Sequence, residues 1–240
     1  MIFAAGLGTR LRPITLTKPK ALVEINGMTL LEIAILRLKS IGCQEIIINI
    51  HHFGQQIKDY IQQKNQFGLK ILFSDETDQL LDTGGGLKKA AWFFNTEPFF
   101  VYNADILSNI DLSEMYNYHL DSKAIATLAV KERTSSRQLL FDTNEILCGW
   151  ENNNSSEKII CRDAEKLQPL AFSGIHVINP SIFSFFPKKE VFSIIDLYLE
   201  VAKTAVINGF RHDDTFLLDV GKIDSLETAS NYVQQLFPKL

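Results

Sequence analysis

In the first hundred positions, short apolar runs at 1–5, 45–50, 69–73 and 98–102 alternate with amphipathic stretches at 29–41, 54–64 and 86–94. Short runs read as strands and longer periodic stretches as crossover helices, so this β-α-β-α-β-α-β order predicts a parallel sheet. The helical period is clearest in Leu30, Leu31, Ala34, Ile35, Leu38 and Ile41, which fall on one face, and Gly42 follows as a stop. From Ala124 to Ile178 the pattern changes. Strand-like runs at 124–130, 138–141, 145–150 and 171–178 are separated by polar loops such as 151–156, which predicts antiparallel or mixed pairing. A last helix is expected from Asp224, which is placed to cap it. Glu227 sits at its third helical position, and Leu226, Ala229, Val233 and Leu236 form the inner face.

The expected fold is α/β: a Rossmann-like, predominantly parallel central sheet flanked by helices, with a smaller mixed or antiparallel portion. With 240 residues, 46% hydrophobic and 22% charged, the chain is long and apolar enough for a buried core, which excludes disorder. The pattern contains no linker, low-complexity tract or repeat, so a single domain over 1–240 is expected, with halves meeting near residue 123. The net charge of −4 argues against a nucleic-acid or anionic-membrane binder that works by bulk charge. There is no apolar run of membrane-spanning length, and Met1 opens into Ile-Phe-Ala-Ala-Gly without a basic leader, so a cytoplasmic protein is expected. Cys43, Cys148 and Cys161 have no metal or disulfide spacing and read as reduced thiols.

Candidate chemistry concentrates where the first strand ends. Gly6-Leu7-Gly8-Thr9-Arg10-Leu11-Arg12-Pro13 and then Lys18-Pro19-Lys20 combine two glycines with four cations and no acid; the first carboxylate of the chain is Glu24. Glycines let backbone N–H groups approach phosphate oxygens, and strand exits of parallel sheets are where such folds bind ligands. Neither the dinucleotide fingerprint nor the Walker A pattern fits beyond Gly8. Taken alone, Gly6 and Gly8 read equally well as an ordinary turn with solvated basic residues.

They are not alone. The segment from Ala4 to Pro13 followed by Pro19-Lys20 resembles the signature of the sugar-1-phosphate nucleotidyltransferases, and further matches follow in order. Asp82-Thr83-Gly84-Gly85-Gly86-Leu87 resembles the family's second glycine loop. Asn103-Ala104-Asp105 resembles its metal-aspartate segment, Phe172-Ser173-Gly174-Ile175-His176 a sugar-side strand, and Leu218-Asp219-Val220-Gly221 the second metal aspartate. Within the family, the Thr-Gly-Gly-Gly loop, the Ala-Ala-Gly opening and the short length are most similar to the uridylyltransferases of N-acetylmuramate 1-phosphate. Three departures stand out: Ala104 where the family usually has Gly, Asn109 where relatives often carry an acid, and a first strand already under way at Met1.

The resemblance implies the nucleotide-diphospho-sugar transferase fold, with a nucleotide-binding half over 1–123 and a sugar-binding half over 124–240. It also implies a reaction in which a sugar-1-phosphate oxygen attacks the α-phosphorus of a nucleoside triphosphate, UTP here, and pyrophosphate leaves. Arg10 and Lys20 are the implied catalytic cations. Ala4, Ala5, Gly6, Gly8, Thr9, Arg10, Gly84 and Gly85 would hold the nucleotide, Asn103 and Gly174 the sugar, and Asp105 and Asp219 a Mg²⁺ ion. Each aspartate by itself reads more readily as a cap or loop acid. The implied partners are the two substrates, with no nucleic acid or membrane, and the chain is expected as a monomer or weak homo-oligomer. A guanylyltransferase of mannose 1-phosphate or another sugar-1-phosphate pyrophosphorylase, and a non-catalytic nucleotide-sugar sensor, are the alternatives. Other polar and aromatic residues read as structural: His51-His52 point apart on an extended chain, and His212-Asp213-Asp214 suits a turn. Trp92-Phe93-Phe94 with Phe99-Phe100 suits core, and Lys88-Lys89 a solvated helix face.

Overall fold

The computed structural model describes residues 1–221 and 224–237. The chain forms two compact units that alternate along the sequence: the first takes 1–80, 102–110 and the segment from Thr215, and the second takes 81–101 and 111–214. The change of pattern near residue 123 therefore falls inside the second unit.

In the first unit, Lys70–Asp75, Glu45–Ile50 and Ile2–Phe3 pair in parallel, and Ile2 and Phe3 pair on their other side with Tyr102 and Asn103 at the end of Phe99–Asn103. Ile46, Ile47, Ile48 and Ile50 are all buried, as expected for a strand with side chains covered on both faces. The expected helices form as Leu30–Ser40 and Gly54–Gln63. Thr29 caps the first by accepting a hydrogen bond from the Glu32 amide at 3.1 Å, and Gly42 ends it at φ +91°. The last helix spans Ser225–Leu236 with Ala229 and Val233 inward as predicted, but Asp224 makes no side-chain capping bond. Its inner face joins a cluster of Leu11, Val23, Ile25, Leu30, Leu107 and Val220. That cluster lies under an antiparallel ribbon of Ile106–Ser108 and Leu217–Asp219.

The second unit carries the antiparallel pattern. Glu157–Ile160, Leu147–Asn152, Arg137–Phe141, Gln168–Ile178 and Ala126–Lys131 pair successively in antiparallel fashion, and Ile207–Arg211 joins Ala126–Lys131 in parallel. The strand expected from 145 starts at Leu147, because Asp142 Oδ1 accepts from the amides of Asn144 and Ile146 and holds a turn there. The helix expected over 86–94 is displaced: it runs Asp82–Lys89 and gives way to a 3₁₀ turn at Ala91–Phe93. The glycine run is thus helical, and packing explains why. A Cβ on Gly84 would lie 2.4 Å from the Phe192 ring, and one on Gly85 would lie 2.1 Å from the Glu190 carbonyl oxygen. The helices Leu112–Asp121 and Ile194–Val201 complete the unit.

Candidate active site

The loop that leaves Ile2–Phe3 starts on a buried anchor, since the Ala4 amide donates to Asn49 Oδ1 at 2.7 Å. Ala4 and Ala5 are buried, and from Gly6 onward the chain is largely exposed. Gly8 lies at φ +61°, and its carbonyl accepts from Thr15 Oγ1 at 2.8 Å and from the Leu11 amide at 2.9 Å. A Cβ here would also meet Lys20 Cβ at 2.8 Å, so only glycine satisfies both the backbone and the neighbour. A Cβ on Gly6 would face open space. Among the described residues, the amides of Gly6, Leu7, Gly8 and Thr9 have no protein acceptor. A row of largely exposed, unsatisfied N–H groups opening into a helical turn has the chemistry that suits an anion.

Lys20 crosses beneath this loop. Its ammonium pairs with Asp105 and stands 3.9 Å from Asp219 Oδ1. The two carboxylates meet because Ile106 and Asp219 are register partners in the ribbon, and the Val220 amide donates to the Asp105 carbonyl at 2.9 Å. Tyr102 braces the turn between strand and ribbon by donating to the Ile106 carbonyl at 3.2 Å. Burial pushes its phenol up to about 12, so it stays a donor. Asn109 accepts from the Phe216 amide at 2.8 Å, and Ser108 Oγ donates to the Phe216 carbonyl at 2.8 Å, which extends the ribbon. The amide found where relatives often carry an acid is therefore a structural clamp. Arg10 is exposed and lies along the same turn: a methyl on Gly221 would be 2.7 Å from Arg10 Nη2 and 2.8 Å from Asp219 Oδ1.

Two hard carboxylates converging on one cation are a donor set that suits a divalent ion completed by phosphate oxygens and water. Among the described residues no group of three or more His, Cys, Asp or Glu side chains gathers.

The first unit thus holds Ala4, Ala5, Gly6, Gly8, Thr9, Arg10, Lys20, Asn103, Asp105 and Asp219. Asn103 is half-buried at the C-terminal end of its strand, and Ala104 is 5% exposed, so its methyl is covered by protein. Gly84, Gly85 and Gly174 belong to the second unit. The amides of Gly84 and Gly85 donate to the Phe192 carbonyl at 2.9 and 3.2 Å, which ties them to their own unit. Gly174 sits at φ +73° where the pairing of Gln168–Ile178 with Ala126–Lys131 slips between Phe172 and His176, a bulge that favours glycine.

The structural readings hold for His51, whose Nδ1 lies 2.7 Å from the Glu76 carbonyl oxygen. His212 is buried against Ser173 Oγ at 2.7 Å, and burial pushes it down to about 4. Two readings are corrected. Trp92 is 64% exposed rather than core, although Phe94 and Phe99 do stack at 3.7 Å. Lys88 is not a solvated lysine, because its ammonium donates to the Pro187 and Lys189 carbonyls at 2.8 and 3.2 Å. The three cysteines are free thiols, each raised by burial. Sequence reasoning missed Asn49, Glu76, Tyr102, Thr15 and Ser108. None carries a motif; Asn49, Tyr102 and Ser108 are polar side chains on otherwise apolar strands, while Thr15 lies in a 3₁₀ turn and Glu76 just past a strand end.

Comparison with known proteins points the same way. Residues 1–235 match the family described as nucleotidyl transferase. The chain is 31% identical over 215 residues to the N-acetylmuramate alpha-1-phosphate uridylyltransferase of Caulobacter vibrioides, covering 87% of this chain and 86% of that protein. It is also 31% identical over 225 residues to the D-glycero-alpha-D-manno-heptose 1-phosphate guanylyltransferase of Campylobacter jejuni, with coverage of 92% and 93%. The fold is shared with the UTP-bound UGPase of Acinetobacter baumannii at a TM-score of 0.80 and 18% identity, covering 100% of this chain and 94% of that one.

Proposed function

The chain belongs to the nucleotidyl transferase family and is a sugar-1-phosphate nucleotidyltransferase, and from that premise we propose that it transfers UMP from UTP to N-acetylmuramic acid 1-phosphate. One observation supports the nucleotidyl-transfer part of this reading above the others: Lys20 is held between Asp105 and Asp219 beneath a loop of unpaired amides. That arrangement suits phosphoryl chemistry without a general base. The second pKa of a phosphate monoester is near 6, so the attacking oxygen is already largely dianionic at neutral pH. The work left is to bring two anions into line and to neutralise charge as it builds on the α-phosphoryl and leaving oxygens.

In the proposed reaction a phosphate oxygen of the sugar forms a bond to the α-phosphorus, the bond to the β-bridging oxygen breaks, and pyrophosphate departs with that electron pair. The amides of Gly6 to Thr9 and the Arg10 guanidinium hold the β- and γ-phosphates. Lys20 sits between the α-phosphate and the incoming sugar phosphate and offsets their repulsion. Asp105 and Asp219 would hold Mg²⁺, which when bound supplies further positive charge to the phosphate oxygens. Within the first unit, Ala4 and Ala5 are assigned to the nucleobase and Asn103 to the sugar. The nucleotide-binding role is assigned to about residues 1–123 and the sugar-binding role to 124–240.

Uridine is favoured by the likeness to N-acetylmuramate alpha-1-phosphate uridylyltransferases of Caulobacter vibrioides and Neisseria meningitidis. The likeness to the Campylobacter jejuni enzyme supports a second reading, a guanylyltransferase. No helix among the described residues is long and apolar enough to cross a membrane, and we assign the protein to the cytoplasm as a monomer or weak homo-oligomer. Pyrophosphate release from four nucleoside triphosphates against a panel of sugar 1-phosphates tests all of this. UTP with N-acetylmuramic acid 1-phosphate should give the highest kcat/KM; preference for GTP would select the second reading, and nucleotide binding without turnover would select a sensor.

A further inference from the structure

A chain of buried polar groups runs across the C-terminal ends of three neighbouring strands in the first unit. Glu76 follows Lys70–Asp75, Asn49 lies in Glu45–Ile50, and Ala4 follows Ile2–Phe3. Asn49 Nδ2 donates to Glu76 Oε1 at 2.7 Å, while Asn49 Oδ1 accepts from the Ala4 amide at 2.7 Å. Glu76 is 0% exposed and Asn49 3%. The backbone of Glu76 is fastened as well, its amide donating to the Ile50 carbonyl at 2.8 Å and its carbonyl meeting His51 Nδ1 at 2.7 Å.

A carboxyl group with no exposed surface is costly to bury unless it is hydrogen-bonded. Here the bond orients an amide. The two ends of an asparagine side chain are nearly the same shape, and a flipped Asn49 would set its NH₂ against the Ala4 N–H, donor against donor. Glu76 Oε1 accepts from Nδ2 and so holds the amide oxygen toward Ala4. Ala4 is the last anchored residue before the unpaired amides of Gly6 to Thr9. The direction in which that loop leaves the sheet is therefore set at this bond.

We propose that Glu76, acting through Asn49, is a positioning residue that fixes the start of the nucleotide loop and so tunes affinity for the nucleoside triphosphate. The proposal rests on the reading of that loop as the triphosphate site. A merely structural clamp would lower thermal stability and disturb both substrates alike. A positioning role falls on one substrate, and it is restored by glutamine, whose carboxamide oxygen keeps the acceptor.

The test compares wild type with Glu76→Ala, Glu76→Gln and Asn49→Ala by hydrogen exchange over residues 4–9 and by steady-state kinetics in both substrates. Glu76→Ala and Asn49→Ala should exchange faster at Ala4 and raise the KM for nucleoside triphosphate roughly tenfold, the scale of one lost buried hydrogen bond. Their KM for the sugar phosphate should stay close to wild type, and Glu76→Gln should behave as wild type in every readout. Unchanged exchange, or equal losses for both substrates, would overturn the proposal; so would faster exchange with the nucleotide KM unmoved. If Glu76→Ala fails to fold, Asn49→Ala carries the same comparison. Wild-type protein that released no pyrophosphate with any substrate pair would count against the catalytic reading, and calorimetric titration of the same variants with nucleoside triphosphate, beside the exchange comparison, would then decide this one.

Discussion

Lys20 has two carboxylates around it and a side chain only 12% exposed, so its ammonium is held in one place, where the proposed reaction needs it. Arg10 is exposed beside Gly221, and in the proposed reaction it follows the triphosphate tail. The two cations should therefore fail differently. Lys20→Met is expected to lower kcat at least about a hundredfold while leaving nucleotide affinity largely intact, because its charge counts most when the two phosphates are closest. Arg10→Met should weaken nucleotide binding and kcat together, since in the proposed reaction it contacts both bound nucleotide and departing pyrophosphate. Calorimetric titration with triphosphate and Mg²⁺, beside initial rates, separates the two; equal losses of affinity would merge the roles. The carboxylates make a further prediction. Asp105→Asn and Asp219→Asn should each reduce kcat by about two orders of magnitude, and EDTA should abolish turnover. Equal rates in EDTA and in Mg²⁺ would remove the metal assignment.

Among the elements, the antiparallel ribbon of Ile106–Ser108 and Leu217–Asp219 decides the site, because it brings together two aspartates that are 114 positions apart. Short ribbons are marginal by themselves. This one is supported by the inner face of Ser225–Leu236 through Val220, Ala229 and Val233. In the second unit, helix Asp82–Lys89 approaches the 190–192 segment so closely that its glycines have no room for a side chain. Gly85→Ala should therefore cost about 1–3 kcal/mol in urea unfolding, an overpacking penalty, because the Cβ would meet a backbone carbonyl that cannot rotate away. An unchanged unfolding midpoint would show that the 190–192 segment yields freely. Periodicity found the helices at 30–40 and 54–63 to within a residue, because their faces meet an uninterrupted core. It missed Leu112–Asp121, whose start is marked only by Asp111 accepting from the Glu114 amide. It also misread the glycine-rich helix, since glycine is a poor helix former and only its close packing explains its presence.

The whole molecule carries three buried histidines in its second unit. Burial pushes His119 and His212 down to about 4 and His176 to about 3. Their ordinary value in an unfolded chain is near 6.5, so between that value and the folded ones the unfolded chain binds more protons. The stability they allow is complete above pH 6.5 and falls as the pH drops toward 4, each histidine contributing up to about 1.4 kcal/mol per pH unit. Thermal unfolding followed from pH 8 to pH 5 should show a plateau and then a steep decline. His119→Gln, which keeps a partner for Thr127 Oγ1, should flatten the decline. A melting temperature unchanged down to pH 5 would contradict this burial. The α/β class, the parallel order of the first strands, and the glycine loop with its cations were all present in the sequence. They depend on local rules: hydrophobic period, glycine's access to positive φ, and the density of charge in a short segment. Tertiary structure decided what those rules do not reach. It set Lys20 against Asp105 and Asp219, gave Glu76 and Asn49 hold of the Ala4 amide, and turned Asn109 into a clamp. The physical reason is that a hydrogen bond or an ion pair depends on distance in space, and in this chain the pairs that define the site are made by strand ends and a ribbon that only folding brings together.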